Sequence, residues 1–374
     1  MSVLQQVIDT LRLLPHGGPG VCNIAITNVC NAKCNFCNYA RDKDFVKEQV
    51  WIDYDKLCQA IDILYDRGIR YLTFSGGEPT LHPRLKDMVA YAVNKGMRPS
   101  AVTNGSRLTP ALLDDLKTSG LKTLFISLDS PSVEEHENNR GLPDVCDRIR
   151  AANQVCQGLA IKTVASVTIN KLIKDFSELI AFLEDLGFET VTFTYPKTAL
   201  GSSSLVFSQT SELVNYSKEE LTDALNRVQS LKRQFGILNP SESLAEMVRF
   251  LRDEKQIYPC FGGYKYFYLD YHFNVYRCDY WPTKMASIFE FRDRPFIRDN
   301  CTQCMSVCYR DSSVLMHTAV SVGDALHDLR QGNLLGALRH LGKRSNILSL
   351  RTLVQDWSIL KKLAKTNGVS AKGH

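Results

Sequence analysis

The chain has 374 residues, 44% hydrophobic and 23% charged, with a formal charge of +5. That is ordinary for a soluble globular protein of two domains, or of one large domain with appendages. No run reaches the ~20 apolar residues needed to cross a bilayer. The opening MSVLQQVIDTLRLLPHGGPG has an early acid and no apolar segment followed by small residues, so no signal peptide is expected and the protein reads as cytoplasmic.

Residues 1–20 read as a helical lead. From 21 to 200 the pattern alternates. Short β-branched runs (CNIAIT 22–27, YLTFSG 71–76, SAVTNG 100–105, TLFISLD 123–129, KTVASVTI 162–169 and TVTFTY 190–195) are separated by stretches of helical period. Six strands alternating with helices predict an α/β fold with a parallel sheet, and nearly continuous apolar strands predict a sheet buried on both faces. An open doubly wound sheet and a partial barrel both fit, and both put functional residues on loops at the carboxyl ends of strands. Residues 201–217 are rich in Ser and Thr and read as a loop or linker, within a segment 201–256 that also carries helices predicted at 218–236 and 242–254. Residues 257–312 are aromatic, cysteine-rich and strand-like, with a hairpin turning at Tyr271–Asn274. Residues 313–374 return to helical period.

Twelve cysteines in a cytoplasmic chain are not expected to be disulfides. Cys22, Cys58, Cys146 and Cys156 are scattered and read as small buried hydrophobes, although Cys22 lies only eight residues before Cys30. Cys30, Cys34 and Cys37 fall within eight residues, after the first strand. A zinc site would want a fourth ligand nearby, and the neighbours are Asn, Ala, Lys, Phe and Tyr. A four-iron cluster held by three thiolates keeps one iron open for a small molecule. The second strand ends in SGGEPTL, where two glycines permit a tight turn or a close approach and Glu78 supplies a negative charge.

Together, Cys30-x3-Cys34-x2-Cys37 and Gly76-Gly77-Glu78 resemble the signatures of the radical S-adenosylmethionine superfamily, over about residues 22–196. The resemblance implies a partial (β/α)6 barrel. It also implies a [4Fe–4S] cluster whose open iron binds S-adenosylmethionine, which the reduced cluster cleaves to methionine and a hydrogen-abstracting 5′-deoxyadenosyl radical. The glycines would bring the backbone to the methionine amino group, with Glu78 pairing to it. Phe36 would line the adenine pocket, and Asn104, Ser127, Asp129 and Asn170, at strand ends, would contact ribose, adenine or the methionine carboxylate. The alternative for these four is capping of helices or turns. His82 reads as a surface or capping residue.

The second set, Cys260, Cys278, Cys301, Cys304 and Cys308, follows a hairpin containing Asp270 and NVYRC. It resembles the SPASM or half-SPASM "twitch" extension of the superfamily, which implies one auxiliary [4Fe–4S] cluster. Asn274 stands where that pattern has Gly, and Asn also tolerates the left-handed turn. Cys260, Cys278, Cys301 and Cys304 are assigned as ligands, with Cys308 the alternate, and a four-cysteine zinc knuckle is the competing reading.

These readings predict a radical SAM oxidoreductase of a small-molecule or lipid biosynthesis, with flavodoxin or ferredoxin as reductant and the auxiliary cluster as electron relay. A peptide maturase and an iron–sulfur redox sensor are the alternatives, and no nucleic-acid partner is expected. Residues 321–374 carry nine Lys or Arg against three Asp, a charge of +6, on helical apolar stripes. That composition suits either a peripheral contact with the inner face of the membrane or a helix pair packed on its own core with a solvated basic face.

Overall fold

The computed structural model describes residues 8–9, 11–41, 47–194, 196, 211–279 and 281–356. Six strands, β1 (Gly20–Ala25), β2 (Ile69–Ser75), β3 (Arg98–Thr103), β4 (Thr123–Leu128), β5 (Lys162–Thr168) and β6 (Thr190–Thr194), pair in chain order, all parallel. Between them run α1 (Tyr54–Asp66), α2 (Leu85–Asn94), α3 (Pro110–Thr118), α4 (Val133–Arg140), α5 (Val145–Gly158) and α6 (Phe176–Asp185). Local chemistry starts these helices where the sequence suggests. The Asp53 side chain accepts from Lys56 N–H, and Thr109 caps α3 with Pro110 at its first position. This is the mixed α/β architecture of a partial barrel, and most of its buried apolar residues form one continuous core.

One strand and one strand pairing lie beyond the expectation. A two-residue strand, β7 (Gly236–Ile237), extends the sheet past β6. On the other edge β8 (Tyr266–Leu269) pairs parallel to β1, Cys22 opposite Phe267, so the cysteine-rich region continues the same ten-stranded sheet. The hairpin forms as read, with β9 (Asn274–Tyr276) antiparallel to β8 and β10 (Ala286–Ser287) at the edge. The left-handed residue of its turn is Phe273, φ +64°, whereas Asn274 already belongs to β9. Asp270 makes that turn possible, because its carboxylate accepts from the N–H groups of His272 and Asn274.

The helices after the barrel are α7 (Lys218–Leu231) and α8 (Ser241–Leu251), each ending a few residues before its expected limit. Then come α9 (Val307–Arg330), α10 (Leu334–Leu341) and α11 (Arg344–Gln355). Among the described residues no helix is long and apolar enough to cross a membrane. The loop expected at 201–217 falls largely outside the described residues, and so do Trp357 and the four lysines that follow it. Cys22, Cys146 and Cys156 are core residues as expected, while Cys58 is half-buried.

Candidate active site

The loop after β1 is clipped from two sides. The Thr27 hydroxyl donates to Val50 O and accepts from Val29 N–H, and the Asn28 side chain pairs with the backbone of Glu48 and Val50. Farther along, Lys33 N–H donates to Arg140 O at 2.7 Å, tying the cysteine loop to the end of α4. The Gly-Gly-Glu loop lies directly on this segment. Gly77 N–H donates to Thr27 O and Glu78 N–H to Val29 O, both at 2.8 Å. A Cβ at Gly76, where φ is +123°, would stand 2.2 Å from Thr27 O, and one at Gly77 would stand 2.1 Å from Val29 O. The structural demand for these glycines is contact with the cysteine loop itself.

Cys30, Cys34 and Cys37 line one cavity of about 260 Å³ together with Phe36, Gly76, Gly77, Glu78, Asn104 and Ser127. The three thiols are close enough to perturb one another. Burial pushes all three up, Cys34 to about 11, which would leave free thiols inert. Bound iron reverses that balance, because a coordinating thiol is deprotonated outright. Among the described residues no three His, Cys, Asp or Glu side chains converge on a single ion-sized point. A four-iron cluster needs no such point, since each thiolate takes its own iron. Two buried polar atoms of the cavity wall, Asn23 Oδ1 and Arg140 Nε, have no hydrogen-bond partner among the described residues. The donor set thus fits a cluster carrying a polar small ligand.

Glu78 is almost fully buried, and both carboxylate oxygens are engaged. Oε1 accepts from Thr80 N–H, the Thr80 hydroxyl and the Thr103 hydroxyl, and Oε2 accepts from Asn104 N–H at 2.7 Å. Burial raises its pKa, and these donors oppose the rise. The Asn104 side chain donates to Asn31 Oδ1 and accepts from Ser106 N–H, which fixes the outer rim of the cysteine loop.

Two of the expected cofactor contacts are not among the lining residues. Asp129 pairs with Arg140 at 2.6 Å and accepts from Asn139, while its own N–H donates to His136 Nδ1. Burial pushes Asp129 up, but Arg140, helped by His136, outweighs this and holds the carboxyl below its usual range. Asn170 donates to Asp129 O and Thr168 O and accepts from Leu172 N–H, the turn-capping role weighed against cofactor contact. His82 is a buried cap, not a surface residue. It accepts from Arg84 N–H through Nδ1, and its Nε2 lies 3.2 Å from Ile52 O.

Sequence reasoning missed Arg140 and the small polar residues Asn23, Ser75, Ser166, Thr168 and Thr194 of the cavity wall. The signal was present as period-2 alternation. In β5, Ser166 and Thr168 alternate with buried Ala165 and Val167, so one face of these strands is polar, not apolar.

In the second cysteine set, Cys260, Cys278 and Cys308 pack with Tyr266 and Tyr309. Cys301 perturbs Cys260, and Arg277 lies near both Cys278 and Cys301. Cys308 and Asp279 also line the 260 Å³ cavity, so the cysteine-rich region forms part of the candidate site.

Residues 24–183 match the family model of the radical SAM superfamily. The AdoMet-dependent heme synthase of Methanosarcina barkeri is 26% identical over 280 residues, covering 72% of this chain and 79% of the relative. The Fe-coproporphyrin III synthase of the same organism is 32% identical over 182 residues, 48% of this chain and under half of that protein. The fold resembles that of native anSMEcpe with bound AdoMet, at a TM-score of 0.56 and 13% identity over 93% of this chain and all of the other. The three-cysteine loop and the Gly-Gly-Glu clip both lie inside the span, residues 24–183, that matches the radical SAM family model.

Proposed function

We propose that this chain is a biosynthetic enzyme that cleaves S-adenosylmethionine reductively and takes a hydrogen atom from a small-molecule or lipid substrate. One observation carries the reading. A single cavity is walled by three thiols, the Gly-Gly-Glu loop, small polar strand residues, and Cys308 and Asp279 of the cysteine-rich region. A redox sensor has no need of such a cavity. The two Methanosarcina relatives are named for making small molecules, which favours that class over a peptide.

In this reading Cys30, Cys34 and Cys37 hold a [4Fe–4S] cluster, which when reduced supplies the electron that cleaves the carbon–sulfur bond. Asn104 and Glu78 hold the cysteine loop against the second strand, and Glu78 Oε2, with one donor, would have capacity to accept from the methionine ammonium. Arg140, neutralised by Asp129, adds a fixed polar wall. Phe36 and Ser127 bound the nucleoside, and Asp129 and Asn170 act one layer behind them. Cys260, Cys278, Cys301 and Cys304, with Cys308 as alternate, hold a second four-iron cluster. Hydrogen abstraction turns the deoxyadenosyl radical into 5′-deoxyadenosine and leaves a substrate radical. A cluster held by Cys260, Cys278, Cys301 and Cys304 would supply a sink for one further electron, which favours an oxidative outcome. A flavodoxin or ferredoxin supplies the first electron. The setting is cytoplasmic.

Anaerobically reconstituted, dithionite-reduced protein should convert S-adenosylmethionine to 5′-deoxyadenosine and methionine. A protein with its full iron content that makes no 5′-deoxyadenosine would overturn the reading. Mass-spectrometric comparison of host extract before and after incubation should then show which metabolite is consumed.

A further inference from the structure

Helix α11 is inside-out. Its buried positions, Ser345, Asn346, Ser349 and Thr352, with Asp356 at the C-cap, are all polar and recur at helical spacing. Each makes at least one hydrogen bond, although Asn346 Oδ1 has no partner among the described residues. Ser349 Oγ donates to Val314 O, Ser345 Oγ lies 2.7 Å from His317 Nε2, and the Asn346 amide donates to His340 O and Leu341 O. Asp356 accepts from Ser241 N–H and pairs with buried Lys232 at 3.0 Å. The opposite face carries Ile347, Leu350 and Val354. Helix α10 buries only Ala337 and turns out Leu334, Leu335, Leu338 and Leu341. These seven side chains are between 49% and 75% exposed. An ordinary amphipathic helix places its apolar stripe on the core. Here polar side chains make the internal contacts and the apolar ones face outward, an arrangement that monomeric surfaces rarely tolerate without a partner.

Charge identifies the partner. From Leu329 to Gln355 there are five cations, Arg330, Arg339, Lys343, Arg344 and Arg351, and no Asp or Glu. Among the described residues no carboxylate pairs with any of the five. A second copy laid face to face would set these cations against themselves. Residues 357–374 add four lysines and no acid, so they are no better matched to the face. None of the seven apolar side chains lines the 260 Å³ cavity or the larger surface cavities of about 520 and 640 Å³. The surface therefore offers apolar knobs among cations, which suits a flat medium, apolar beneath and anionic above.

We propose that the outward face of α10 and α11 docks on an anionic lipid surface, with the leucines in the acyl boundary and the arginines among headgroups. The inference rests on this surface alone and is independent of the chemistry at the iron site.

Flotation of the full-length protein with phosphatidylglycerol/phosphatidylcholine vesicles and with pure phosphatidylcholine vesicles tests it. Binding should require phosphatidylglycerol and weaken as salt rises. Leu335→Glu, Leu338→Glu and Ile347→Glu together should abolish it. Arg339→Gln, Arg344→Gln and Arg351→Gln together should lower affinity about 100-fold, roughly fivefold per cation. All six sites are exposed, so both variants should keep the parent's unfolding midpoint. The proposal fails if the parent binds neither vesicle or both equally, or if binding survives the leucine substitutions. It also fails if sedimentation shows a dimer that the leucine variant dissociates. Binding seen only after truncation beyond Asp356 would likewise overturn it, since the chain's own end would then be the occupant of the face.

Discussion

Glu78 Oε2 lies 2.7 Å from the backbone nitrogen of Asn104, so a single carboxylate bridges the ends of β2 and β3 beside the cysteine loop. Its other oxygen takes three more donors. Gln at 78 would keep the shape but turn an amide N–H₂ toward one of these N–H groups. One buried donor would then lose its acceptor, at roughly 1–3 kcal/mol. Glu78→Gln should therefore lower the stability of the iron-free protein by that amount, read from denaturant melts. It should also weaken S-adenosylmethionine binding by ~10- to 100-fold through loss of a charge-assisted contact. Unchanged affinity with lowered stability would leave Glu78 as a loop anchor alone.

Gly77→Ala is expected to be worse, although it removes no polar group. The added methyl would meet Val29 O at 2.1 Å, and a backbone carbonyl cannot rotate aside as a side chain can. The loop must move, breaking the hydrogen bonds from Gly77 and Glu78 to Thr27 and Val29. The measurable outcome is poor retention of the cluster at Cys30, Cys34 and Cys37 after reconstitution, seen as iron loss. Iron retention equal to that of the parent would mean that the two loops do not need this contact.

Much of this was legible in the sequence because it is local. The six parallel strands and five of their helices follow from period and punctuation, and Cys30, Cys34, Cys37 and Glu78 follow from spacing. What was not legible depends on the third dimension. Helix α4, VEEHENNR, has no apolar stripe to mark it, yet it buries His136 and Arg140 against Asp129. Asp129 and Asn170 sit at strand ends like true ligands, and only the fold shows Arg140 and the turn claiming them. Pairing of β8 with β1 joins residues more than 240 apart in sequence, and it brings Cys308 to the cavity. Tail charge was plain from composition, but which face of α11 turns outward was not, because polar residues took the inner side.

Iron content separates the roles of the two cysteine sets. The reconstituted protein should hold about eight irons per chain, falling to about four when Cys30, Cys34 and Cys37 are all Ala. Cys304→Ala should also lose about four, without preventing S-adenosylmethionine cleavage. Cys308→Ala should keep about eight while changing turnover on substrate, since Cys308 walls the cavity. If Cys308→Ala loses the iron and Cys304→Ala keeps it, the ligand assignment is reversed. A parent total near four would remove the second cluster altogether.

His136 gives the site a pH limit of its own. It is fully buried, and its Nδ1 accepts from Asp129 N–H, which places the proton of the neutral ring on Nε2. Burial lowers its pKa from 6.5 to about 4, against the pull of Asp129. A histidine whose folded pKa is depressed contributes stability that is present above 6.5 and is lost as pH falls from 6.5 through about 4. That gap corresponds to roughly 3 kcal/mol. The loss comes from protonation of the unfolded chain, so global stability falls while the native Asp129–Arg140 pair persists until pH approaches 4. Denaturant melts of the iron-free protein between pH 7 and 4 should show the decline. His136→Gln retains an acceptor for Asp129 N–H but cannot titrate, so its stability should fall less steeply over the same range. Parallel curves for parent and variant would show that the acid sensitivity arises elsewhere.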